Sequence, residues 1–155
     1  MTRGSEGERN LRDFLDFPRE DMSTEIKDWL DLAERPVRAR LAKELIALAN
    51  HGGGYLLFGF AEADTSWIPS GACPFDSRRY SPDEVNNILK RHAEPVFECY
   101  VHHIDGSGGN PHVVIEVPGG HLAPIRIDHV PDEAGVVANA YYIRKPGPES
   151  SPANT

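Results

Sequence analysis

The stretch from Ala42 to Phe60, A-K-E-L-I-A-L-A-N-H-G-G-G-Y-L-L-F-G-F, constrains this chain more than any other. Val37, Leu41, Leu45 and Leu48 recur at helical spacing and give one apolar stripe. Asn50 and Gly52 to Gly54 tolerate the left-handed backbone that ends a helix. Tyr55 to Phe60 is an apolar run bounded by glycine, long enough for a buried central strand and too short for another helix. A helix from Pro36 to Asn50, a tight reversal and a central strand are therefore expected to form the core.

The rest of the chain arranges itself around that unit. Leu11, Phe14, Leu15 and Phe17 predict a short helix stopped by Pro18. Glu25 to Trp29 alternates polar and apolar residues and predicts a short strand. The strand at Tyr55 to Ala61 leads into a loop with one brief strand at Ser66 to Ile68. Ser81-Pro82-Asp83-Glu84 is a helix start, with a capping serine, proline at the first helical position and a capping-box glutamate. Val85, Ile88, Leu89 and His92 then share one face, up to Pro95. Strands are expected at Phe97–Ile104, His112–Val117, Ile125–Ile127 and Tyr141–Ile143, the first two joined by the hairpin composition D-G-S-G-G-N-P. This order predicts an α+β fold, a mixed and mainly antiparallel sheet packed against two to three helices. Residues 10–145 are expected to form the domain, residues 1–9 a disordered terminus and residues 146–155 a flexible Pro/Ser-rich tail or linker.

At 155 residues and 39% hydrophobic, the chain can bury one core. No segment is long and apolar enough to span a membrane, and the N-terminus has no apolar signal region. Cys73 and Cys99 form no C-x-x-C pattern, which argues against a disulfide framework and favours a cytoplasmic protein. The net charge of -8 means that any nucleic-acid site must be a local basic patch on an acidic body.

Several chemistries find no support in the motifs. The triple glycine follows a helix C-terminus, the negative end of the dipole, whereas phosphate loops precede a helix N-terminus. No G-x-x-x-x-G-K-[ST], G-x-S-x-G or H-E-x-x-H pattern occurs. His102 and His103 are adjacent and would point to opposite faces of a strand. The carboxylates carry more interest. Glu20 and Glu25 precede and enter the first strand, and Glu62 and Asp64 lie just past the central one. Converging there, they could hold Mg²⁺ or Mn²⁺ and activate water against a phosphodiester. From spacing alone, ordinary acids at the strand ends of an acidic chain explain them better. Arg35, Arg38, Arg40 and Lys43, then Arg78 and Arg79, then Arg144 and Lys145, are the basic clusters. They suit phosphate contacts or an ordinary solvated face.

Three segments together, E-D-M-S-T-E-I-K, A-L-A-N-H-G-G-G-Y-L-L-F-G-F-A-E and Y-Y-I-R-K-P-G-P-E-S-S-P-A, resemble the Schlafen-type divergent AlbA domain, a family labelled as DNA-binding. The likeness runs from about Glu20 to Ala153. It implies nucleic-acid binding, to DNA or RNA, in a regulatory or defence-related module. Lys27, Arg38, Arg40, Lys43, Arg144 and Lys145 would be the phosphate partners. In nuclease members three acids hold a divalent metal and cut structured RNA. By motif position these fall on Glu20, Glu25 and Glu62, with Asp64 close enough to stand in for the last, where the active pattern prefers Asp. The alternatives are a metal-dependent endoribonuclease and an interaction module, acting as a homodimer or joined to a second domain.

Overall fold

In a computed structural model of the chain, residues 3–153 are described. The fold is α+β, and its centre is a four-stranded mixed sheet in the order β1-β2-β7-β6. These strands are β1 (Thr24–Lys27), β2 (Gly54–Phe58), β6 (Tyr100–Asp105) and β7 (Pro111–Val117). β1 pairs parallel with β2, and the other two pairings are antiparallel. The helices are α1 (Arg3–Asp16), α2 (Arg35–His51) and α3 (Pro82–His92). Two-residue alternation divides the sheet's side chains between two cores. Leu56, Phe58, Ile115 and Val117 join Leu41, Leu45 and Leu48 of α2 and Val85 and Leu89 of α3. Ile26, Leu57, Ile104 and Val114 join Leu11 and Leu15 of α1 on the other face. The sheet is therefore sandwiched, with α1 on one side and α2 and α3 on the other.

The helix–turn–strand unit forms as its sequence predicts. α2 ends at His51, and Gly52 takes the left-handed conformation at φ 118° while its N–H donates to the Ala49 carbonyl. Gly53 N–H donates to the Leu48 carbonyl, which completes the helix stop. A Cβ at Gly54 would collide with the Ser23 carbonyl, so glycine lets β2 enter beside β1. Asn50 does more than end the helix. Its side-chain amide donates to the Ile125 and Tyr142 carbonyls and accepts from the Ile125 N–H, all at 2.8 Å. The later strands are thereby tied to the end of α2. Ser81 caps α3 as expected, accepting from the Glu84 N–H.

Three expectations are corrected. The strand predicted over Tyr55 to Ala61 breaks at Gly59, whose φ is 95°. Its continuation, β3 (Phe60–Ala63), leaves the central sheet and pairs with β4 (Ser66–Pro69) as a separate hairpin. The N-terminal segment expected to be disordered is helical from Arg3, an extension of the turns that Leu11 and Leu15 anchor. The expected flexible tail instead returns as β10 (Glu149–Pro152), antiparallel to β9 (Tyr142–Lys145). Two further short strands, β5 (Ala93–Glu94) and β8 (Arg126–Ile127), pair with each other as a separate ladder. No described helix is long and apolar enough to cross a membrane.

Candidate functional site

β1 is an edge strand, and its alternation decides what gathers beside it. Glu25 and Lys27 align with Leu56 and Phe58, so they lie on the α2 face of the sheet, while Ile26 lies on the α1 face. α2 presents Glu44, buried at 6% exposure among its apolar neighbours, with Lys43 beside it. β9 brings Arg144, and β10 places Ser150 directly opposite in the register. The Arg144 guanidinium is wholly buried. Nη1 donates to Glu25 Oε2 at 2.6 Å and lies 4.0 Å from Glu44 Oε2. Nη2 donates to the Asp21 carbonyl at 2.8 Å, and both Nη2 and Nε lie 3.4 Å from carbonyls of the same turn, those of Thr24 and Met22. Ser150 Oγ donates to Glu44 Oε2 at 2.8 Å. Towards solvent, Lys27 Nζ sits 3.6 Å from Glu25 Oε1 and 3.8 Å from Glu44 Oε1, and Lys43 Nζ sits 3.1 Å from the same Glu44 oxygen.

The two carboxylates are driven apart. Burial pushes the Glu25 carboxyl up to about 7, and the Glu44 and Glu20 charges add to this against the Arg144 bond and Lys27. Burial acts upward on Glu44 as well, but Lys27, Lys43 and the Ser150 hydroxyl outweigh it and hold that group below its ordinary value. The cluster therefore keeps Glu44 ionised and leaves Glu25 able to take up a proton near neutral pH. Neither acid titrates alone, because they share Lys27 and Arg144.

The family model for Schlafen, AlbA_2 matches residues 20–154, nearly the whole chain. The chain belongs to this family. A comparison with curated proteins gives no match. Among solved structures, this Schlafen AlbA_2 domain is similar to the N-terminal domain of a RecG-related protein from Nitrosomonas europaea, determined in solution by NMR. The likeness has a TM-score of 0.53 and 23% identity, and it covers 84% of this chain and 85% of that one. At that identity it establishes the shared fold.

The domain does not gather the acids that the family likeness singles out. Glu20 lies beside β1, where its Oε2 accepts the Ile26 N–H on the strand's free edge at 3.2 Å. Glu25 is committed to Arg144. Glu62 is exposed on β3 opposite Trp67, carried off the central sheet by the break at Gly59, and Asp64 is exposed in the following turn. Among the described residues, no three His, Cys, Asp or Glu side chains converge on a point that could hold a metal ion. With a guanidinium nitrogen already 2.6 Å from the Glu25 carboxylate, the donor set does not fit Mg²⁺ or Mn²⁺.

The basic residues separate as well. Arg144 is an interior cation, so its expected phosphate contact is corrected by its burial. Arg38 spends Nη1 on the Leu32 and Ala33 carbonyls, and Arg40 is exposed with a 3.3 Å bond to the Ala134 carbonyl. Lys27, Lys43 and Lys145 are half-buried. Sequence reasoning missed Glu44 and Ser150. For Glu44 a signal existed: it is three residues after Leu41 and four before Leu48, which puts it on the flank of the apolar stripe. Ser150 gave none, since its segment has the composition of a linker.

Proposed function

We propose that this domain binds nucleic acid through the basic face where α2 meets β1 and β9. The observation that carries the reading is the Lys27–Lys43 pair. Two half-exposed ammonium groups share a single Glu44 carboxylate oxygen, on a chain whose net charge is -8. Three cations, Lys27, Lys43 and Arg144, stand against Glu44, Glu20 and a Glu25 that is only partly ionised near neutral pH. The two ammonium groups stay partly open to solvent, so a phosphate can approach both while Glu44 keeps its buried contacts. Arg40, one helical turn before Lys43, extends the face along α2. Membership of the Schlafen AlbA_2 family supports a nucleic-acid-related role, and the RecG-related neighbour, named for ATP-dependent DNA helicases, agrees with it. No hydrolytic step is assigned to the acids, given where Glu62 lies.

Fluorescence anisotropy at low salt, with labelled duplex DNA, tRNA and single-stranded DNA, tests the reading. Binding should weaken linearly with log salt. The Lys27→Ala, Lys43→Ala double variant should flatten that slope by about 1.4–1.8, the share of two phosphates. Binding to none of the three probes would remove the proposal in favour of an interaction module, and an unchanged slope would move the site elsewhere.

A further inference from the structure

A pocket of about 190 Å³ lies on the α1 side of the sheet, away from the lysine face. Leu15, Pro18, Trp67 and Pro69 make its apolar walls, and Asp16, Asn110 and His112 supply its polar groups. His112 is only 3% exposed. Its Nδ1 lies 2.8 Å from the Phe58 carbonyl, a pure acceptor, so Nδ1 carries the ring proton. Nε2 then holds a lone pair, and among the described residues no donor meets it. Gly106 shows where that lone pair opens. A Cβ built on Gly106 would lie 3.9 Å from His112 Nε2 and 3.5 Å from Asp16 Oδ1, so the missing side chain leaves a gap bordered by both acceptors.

Asp16 is fixed as a carboxylate. The Ser107 hydroxyl donates to Oδ2 and the Ser107 N–H to Oδ1 at 2.8 Å, and together they hold it below the ordinary carboxylate value. Burial pushes the His112 imidazole below its ordinary value, against the Phe58 bond, which keeps it neutral near pH 7. The pocket thus offers one anionic and one neutral acceptor beside an indole and two prolines.

We propose that this pocket binds a small organic cation bearing N–H donors, an alkylammonium or alkylguanidinium. Its nitrogen bonds Asp16 and His112 Nε2, and its alkyl part rests on Trp67, Pro18 and Leu15. The absence of a side chain at Gly106 is a requirement of the site.

The test follows the imidazole nitrogen resonances of the full chain by NMR during titration with ethylammonium or methylguanidinium chloride. Tetramethylammonium at equal ionic strength is the control, since it carries charge without a donor. A saturable shift at His112 with the first two cations and none with the control is expected. Gly106→Ala puts a methyl at ordinary contact distance from its neighbours, so the fold is kept, and it should weaken binding about tenfold or more. Asp16→Asn should abolish binding. Equal shifts with tetramethylammonium, no saturable shift at all, or unaltered affinity in Gly106→Ala would each overturn the proposal. Should Asp16→Asn fail to fold, the control cation and the Gly106 variant still decide.

Discussion

Replacing Glu25 by glutamine isolates the charge the fold tolerates least. The Glu25 carboxyl titrates near 7 in the folded state, against an ordinary 4.5, because it is buried beside Glu44. Between those two values the folded protein binds more protons than the unfolded chain, so this group lowers stability as pH rises through the window. The difference, taken at about 1.4 kcal/mol per pH unit, amounts to about 3 kcal/mol, fully developed above pH 7 and absent below pH 4.5. Glutamine keeps the acceptor that Arg144 Nη1 needs and has no proton to lose. Glu25→Gln should therefore gain on the wild type by about 3 kcal/mol between about pH 4 and about pH 8, with most of the change between pH 5 and 7. Urea unfolding of both proteins across that range measures it, and taking the difference cancels most of what the distant histidines contribute. If the Glu25–Arg144 contact acted as an ordinary stabilising ion pair, the carboxyl would be depressed and the variant would lose ground as pH rose. That outcome, or a flat difference, would refute the reasoning.

Arg144→Met should destabilise the protein by about 3–5 kcal/mol at neutral pH, since it leaves Glu25 and the Asp21 and Thr24 carbonyls without their buried donor; thermal or urea unfolding reads this directly. Gly59→Ala should cost roughly 2–4 kcal/mol, because Cβ would meet His112 Nδ1 at 2.8 Å and the Trp29 ring at 2.9 Å from a left-handed backbone; a loss within error of zero in urea unfolding would show that the β2–β3 break can relax. Of the two free thiols, Cys99 is buried and pushed up to about 12, and Cys73 is half-exposed. A disulfide-exchange reagent should modify one thiol of the native protein quickly and the second only on unfolding.

What the sequence made legible was local. The α2 stripe, the glycine stop and the Ser81 cap each depend on residues within a few positions, and all appear where spacing puts them. The break at Gly59 was not legible, because Tyr55 to Ala61 reads as one apolar run. Glycine is needed there because the backbone is left-handed and because His112 and Trp29, brought from 53 and 30 positions away, press on it. Glu62 followed the misread strand, and its expected place beside Glu25 went with it. β10 escaped for a similar reason. Its residues have no β-pattern, and it is held in place by pairing with β9 and by the Ser150–Glu44 bond across 106 residues of chain.

The late Y-Y-I-R-K segment divides adjacent residues between the interior and the surface. Strand alternation sends Arg144 inward and Lys145 outward. Arg144 closes the free edge of β1 by taking carbonyls from Asp21 to Thr24, the work that a neighbouring strand would otherwise do. Its charge draws Glu25 into the same buried cluster, and Glu44 follows through Ser150. The cations left half-exposed at the rim are Lys27 and Lys43, both fixed by those buried acids. The acids thus orient the lysines, and the motif's arginine sets the acids. A substitution at Arg144 should accordingly weaken nucleic-acid binding without any loss of a phosphate contact of its own.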